Sequence, residues 1–141
     1  MNKENILSKI SKMAEEELID LACNTSDVEI LKILAVNENC EVRCAVAENE
    51  NTPKEALEML AKEEYSVIRW AVAKHKNTSA DALAELATDS DCLVRSAVAN
   101  NPNTPYKTLL MLSKDNIEWV SEKAENALKK RKEKSKTSME R

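Results

Sequence analysis

The sequence predicts an all-α protein: an α-solenoid of 26-residue two-helix repeats closed by helical caps. Three observations predict it. The phrase VRCAVAENENTP at 42–53 returns as IRWAVAKHKNTS at 68–79 and as VRSAVANNPNTP at 94–105. Gly is absent and Pro occurs three times in 141 residues. Hairpins and sharp phosphate-cradling loops need positive φ or close backbone approach, so both are disfavoured. Hydrophobic residues are 43% of the chain but aromatics only 3%, with no Phe. The core must then be Leu, Ile, Val, Ala and Met, as all-α domains allow.

Taken in order, Ile6, Ile10, Met13, Ala14, Ile19 and Leu21 predict an N-terminal capping helix within 1–24. Residues 25–128 hold about four repeats, the last one partial. The period carries Arg43, Arg69 and Arg95, then Ala45, Ala71 and Ala97, then Val46, Val72 and Val98. Leu31, Leu57, Leu83 and Leu109 keep the same step, as do Leu34, Leu60, Leu86 and Leu112. Each repeat divides into two helices. The first is expected to open at Ser26, Thr52, Thr78 or Thr104. Thr52 would cap with its hydroxyl, Pro53 would take the first helical position, and Glu55 would complete a T-x-x-E capping box. Ser26-Asp27-Val28-Glu29 has the same form. Ala56, Leu57, Leu60 and Ala61 lie on one helical face. A polar link such as KEEYS at 62–66 follows. The second helix carries Val42, Ala45 and Val46 at i, i+3 and i+4. It is expected to stop near Asn49, His75 or Asn101, residues that tolerate the left-handed conformation in a chain without Gly. Asn51, Asn77 and Asn103 would turn the chain into the next cap. One such helix pair cannot bury its apolar face alone, and stacked neighbours bury it for one another. Trp119, Val120, Ala124, Ala127 and Leu128 predict a C-terminal helical cap. Residues 129–141 read as a basic, frayed or disordered tail.

Together these elements, VRxAVAxNPNTPxxxLxxLAxD, resemble the leucine-rich repeat variant family, a HEAT-like helical repeat. The resemblance covers roughly residues 25–125. It implies that each unit pairs an α-helix with a shorter, often 3₁₀, helix, and that the stack forms a right-handed superhelix. It brings no common catalytic residue. Some members carry a Cys-rich iron–sulfur segment. Cys23, Cys40, Cys44 and Cys92 form no such cluster, so no cofactor is implied.

Net charge is −4, unevenly spread. Residues 129–141 hold seven Lys/Arg and two Asp/Glu, whereas 1–128 hold 14 and 23. An acidic body disfavours binding nucleic acid over the whole surface. Met1–Lys12 has no long apolar run, and no 18-residue apolar stretch occurs. A cytoplasmic protein with no membrane span and reduced thiols is expected. The glycosylation patterns at Asn24 and Asn77 are then read as incidental.

Several residues are candidates for function. The Arg column Arg43, Arg69 and Arg95 flanks the apolar face. It is read first as structural, bonding carbonyls or acids of the next unit near Glu63 or Asp89, and second as a phosphate contact. The positions that vary between repeats are Cys44, Trp70 and Ser96, then Glu48, Lys74 and Asn100. They lie opposite Val42, Ala45 and Val46 and are expected to form an exposed ridge. Trp70 between Arg69 and Lys74 is its anchor. His75 is the only histidine, so no usual catalytic triad can be built. Cys40 and Cys44 stand at i, i+4, but zinc needs more ligands, and no metal site is expected. The leading expectation is a non-enzymatic module that recognises a protein partner through Arg69, Trp70, Lys74, Cys44, Ser96 and Asn100, as a monomer or end-to-end dimer. The alternatives are nucleic-acid binding through the Arg column and basic tail, and an acidic decoy that inhibits a nucleic-acid-handling protein.

Overall fold

Seven-residue helices are too short to persist alone in water, so these helices exist because their apolar faces are covered. The computed structural model describes residues 2–139. Among them every regular element is an α-helix. The chain forms two compact units, Met1–Thr78 and Ser79–Arg141.

The first unit contains α1 (Lys3–Ser11), α2 (Glu15–Asn24), α3 (Val28–Leu34), α4 (Cys40–Glu48), α5 (Lys54–Leu60) and α6 (Ser66–Lys74). Helices α3 and α4 form one repeat pair, α5 and α6 the next. The second helices stack in the order α2, α4, α6, and α3 packs on α5. The N-terminal region is therefore two helices rather than the single one expected, broken over residues 12–14. The second unit contains α7 (Ala80–Leu86), α8 (Cys92–Asn100), α9 (Tyr106–Leu112) and α10 (Glu118–Met139). Here α7 pairs with α8, and α8 and α9 both pack on α10.

The core repeats as the sequence does. Leu31, Leu57, Leu83 and Leu109 are completely buried, and Leu34, Leu60, Leu86 and Leu112 nearly so. Val46, Val72 and Val98 from the second helices are also completely buried. Each buried leucine contributes about 2 kcal/mol relative to exposure. The resemblance implied one short helix per repeat, and the first of each pair is indeed shorter, seven residues against nine, but it is α rather than 3₁₀.

Two expectations about helix ends are corrected. The threonines do not cap the following helix. Thr52, Thr78 and Thr104 are buried and donate their hydroxyls back to the carbonyls of Val46, Val72 and Val98, each at 2.6 Å. They thus give a second donor to carbonyls at the end of the preceding helix, which also accept from the N–H groups of Asn49, His75 and Asn101. The capping position falls one residue later. Asp27 accepts from the N–H groups of Glu29 and Ile30, and Ser79 accepts from that of Ala82. Nor do helices stop in the left-handed region: no described residue has positive φ. Asn49, His75 and Asn101 are extended, and their side chains do the work that a left-handed turn would do.

At the C-terminus a frayed or disordered tail was expected over 129–141. Residues 140–141 lie outside the described residues, and α10 runs to Met139. It starts in register: Val120 and Ala124 occupy the positions of Val94 and Val98 and are completely buried. At the position of Asn49, His75 and Asn101, however, stands Ala127, and at that of Thr52, Thr78 and Thr104 stands Lys130. With neither exit side chain present, nothing diverts the backbone, and good helix formers carry it on.

Candidate functional site

Each repeat ends in a small polar clasp. Asn49 donates from Nδ2 to the carbonyls of Ala22 and Thr25, at 2.8 and 2.9 Å, and its Oδ1 accepts from the Asn51 N–H at 2.8 Å. His75 reproduces this with an imidazole. Its Nδ1 accepts from the Asn77 N–H at 3.0 Å, so Nε2 carries the proton and donates to the Asn49 carbonyl at 2.7 Å. Asn77 adds a bond from Nδ2 to the Thr52 carbonyl. His75 is only 7% exposed. Burial lowers its pKa; the Asn49 carbonyl works against that, and the charge of Lys76 adds to it. The single histidine is thus a neutral linker between repeats.

The Arg column makes contacts of one kind. Arg43 donates from Nη1 to the Asn37 carbonyl at 2.7 Å and from Nε to the Glu63 carboxylate. Arg69 donates from Nη1 to the carbonyls of Glu63 and Glu64. Arg95 donates from Nη1 to the Asp89 carbonyl at 2.7 Å and forks onto Asp115 through Nε and Nη2, at 2.8 and 3.2 Å. In Arg43 and Arg95 the planar fork spans the link of its own repeat and the acid of the next. Burial raises the Asp115 carboxyl, but the Arg95 hydrogen bonds, the Ile117 N–H and the Arg95 charge outweigh it and hold it below its usual value.

The expected ridge is uneven. In the first unit, Trp70 on α6 is 36% exposed and lies under Lys74, whose Nζ sits 3.8 Å from the ring centroid. Such a cation–π pair is the reason an exposed indole can hold one orientation. Val67, one turn earlier, is 56% exposed and was not singled out by sequence. The signal for it was present: Val67, Leu93 and Trp119 share one repeat position, and all three are exposed. Cys44 on α4 is half-buried and directs its thiol to Glu48 at 3.7 Å. Burial, then the Glu48 charge and hydrogen bond, push its pKa up to about 11. It is a thiol at neutral pH and a weak nucleophile. Arg69 is turned toward the link carbonyls rather than outward.

In the second unit Asn100 is exposed, but Ser96 is not on the surface as expected. It is 5% exposed. Among the described residues no three His, Cys, Asp or Glu side chains gather as metal ligands would. No helix among them is long and apolar enough to cross a membrane.

These features define a class: an all-α helical-repeat scaffold with a fixed polar frame and a varied outer face. The comparisons agree. Residues 41–62 match the family model described as Leucine rich repeat variant, a HEAT-like helical repeat family. The match runs from α4 through the first clasp and along α5. Repeats of this family generally mediate protein–protein interaction. No curated protein and no solved structure matches the chain.

Proposed function

We propose that the protein is a non-enzymatic binding module that recognises a protein partner through the outer face of its second helices, with Trp70 as anchor. The observation that carries this reading is the Trp70–Lys74 pair beside exposed Val67. An indole fixed by a cation and flanked by an aliphatic side chain loses little conformational freedom on docking. Trp in that setting is the residue type that most often dominates a protein interface. Cys44 and Glu48 on the neighbouring α4 extend the face, and Leu93 and Asn100 offer the equivalent positions of the second unit. Ser96 drops out of the site because it is buried. Arg69 supports α6 from beneath rather than meeting the partner. The Arg column lends no support to phosphate binding, since its guanidinium groups already bond carbonyls.

The test is capture from native lysate by the wild type and by Trp70→Ala/Lys74→Glu, with the captured protein then measured in purified form. The expected loss is about thirtyfold in affinity, the scale of an interface hot spot. Equal affinity of both forms for every captured protein removes the ridge assignment. Competition by DNA or RNA for the same captured partner would instead favour the acidic-decoy reading.

A further inference from the structure

The positive charge of α10 lines a groove that the ridge does not use. We propose that this groove binds the phosphate backbone of a nucleic acid without reading its bases. It lies within the second unit, between α10 and the exit turn Asn100–Pro102 of α8, and encloses about 880 Å³. Along α10, Lys123, Asn126, Lys130, Lys134 and Thr137 all line it. Their spacing of i, i+3, i+7, i+11 and i+14 keeps them on one helical face, a stripe of about 21 Å at 1.5 Å per residue.

The lining chemistry selects the occupant. Lysine, asparagine and threonine are the donor types that hold phosphodiester oxygens. Residues 123–137 hold seven Lys/Arg against two Asp/Glu, and only Glu133 of the acids lines the groove. Among the described residues Lys123, Lys130 and Lys134 pair with no carboxylate. Their charge is therefore not spent within the fold, unlike that of Arg43 and Arg95. Arg131 donates from Nη2 to the Pro102 carbonyl at 3.1 Å, which ties α10 to the turn and holds the groove's wall in place. An acidic peptide suits the groove less well. Its apolar lining is Ala99, Pro102 and Ala127, with no deep aliphatic or aromatic pocket for an anchor side chain. No aromatic residue lines it either, so bases have no stacking platform, and recognition rests on the backbone alone. The first unit, with 15 Asp/Glu against 10 Lys/Arg, repels such a ligand and confines it to this face.

The experiment is fluorescence anisotropy of the full chain with labelled single-stranded DNA of about 20 nucleotides, as a mixed sequence and as oligo-dT. Both sequences are expected to bind alike. Contact with four phosphates gives a slope of log K against log salt of about −3. Lys130→Glu/Lys134→Glu should lower affinity at least tenfold, with the slope falling to about half. Lys130→Gln/Lys134→Gln, checked for intact helicity by circular dichroism, should lower it by a smaller factor. Trp70→Ala should leave it unchanged, which separates this site from the ridge. Absence of binding at low salt, equal binding by the lysine variants, or tighter binding of a Glu-rich peptide of matched charge would overturn the proposal.

Discussion

The exit turns at 49–52, 75–78 and 101–104 and the stretch 127–130 occupy the same positions of the period, yet the chain does opposite things there. In the first three it leaves the helix, crosses a buried polar clasp and starts the next repeat. In the fourth it stays helical to Met139. The apolar pattern does not explain this, because Val120 and Ala124 repeat the earlier buried positions. The difference lies in two side chains. An Asn or His with a Thr three residues later supplies donors and acceptors for backbone groups freed when the helix ends. Ala127 and Lys130 supply neither. What closes a repeat in this chain is thus hydrogen-bond bookkeeping at its exit.

The comparison can be broken most severely at Asn49. Asn49→Ala leaves the Ala22 and Thr25 carbonyls and the Asn51 N–H without their partner. A loss of about 3 kcal/mol in urea unfolding is expected from such unsatisfied groups. A change below about 1 kcal/mol would mean that water replaces the clasp freely. Thr78→Val keeps the shape and removes only the hydroxyl bond to the Val72 carbonyl. It should cost about 1.5 kcal/mol by the same measurement.

His75 sharpens the comparison through pH. Its folded pKa is lowered from 6.5, so the unfolded chain takes up a proton more readily than the folded one. The stability this neutral residue supports is fully present above pH 6.5. It is lost as pH falls through the lowered folded value. A proton on Nδ1 would also face the Asn77 N–H instead of accepting from it. His75→Asn should restore the side chain used at 49 and 101, remove this slope between neutral and mildly acidic pH, and change stability at pH 7 by less than about 1 kcal/mol. Chemical denaturation of both forms across that range checks it. An unchanged slope would place the titration elsewhere. The smallest energetic effect is expected from Ala127→Asn/Lys130→Thr, which writes an exit turn into α10. Stability should move by about 0.5 kcal/mol or less, since the surface beyond is exposed. The far-ultraviolet helical signal should drop all the same, and full helicity in this variant would refute the two-residue account of the helix end.

Much of the fold is open to reading in the sequence because the repeat tests each inference several times. Four leucines in one column, all buried, leave little freedom in assigning the core face. The errors fall where a residue's partner is distant in sequence or opposite in direction. Thr52 followed by Pro53 and Glu55 looks like a helix start. Its hydroxyl turns back to the helix before, since that carbonyl is the buried one. Asn49 reaches residues 24 and 27 positions away, a pairing that local spacing does not display. Ser96 shares its column with Trp70, but its short side chain does not reach the surface. Composition alone did not mark how far α10 runs: seven Lys/Arg look solvated, and the missing Asn/Thr pair at 127 and 130 was the better signal.

By itself, then, the sequence determined the all-α class, the 26-residue period, the buried Leu and Val columns and the balance of charge. Each follows from periodicity and solvation, which act on a residue and its near neighbours. Only the tertiary structure decided which polar groups meet. It turned Asn49 and His75 into links between repeats, set Arg43 on Glu63 and Arg95 on Asp115, and joined the basic face of α10 to the α8 exit turn in one groove. A hydrogen bond or a groove is set by distances between residues far apart in the chain, and these exist only once the helices have packed.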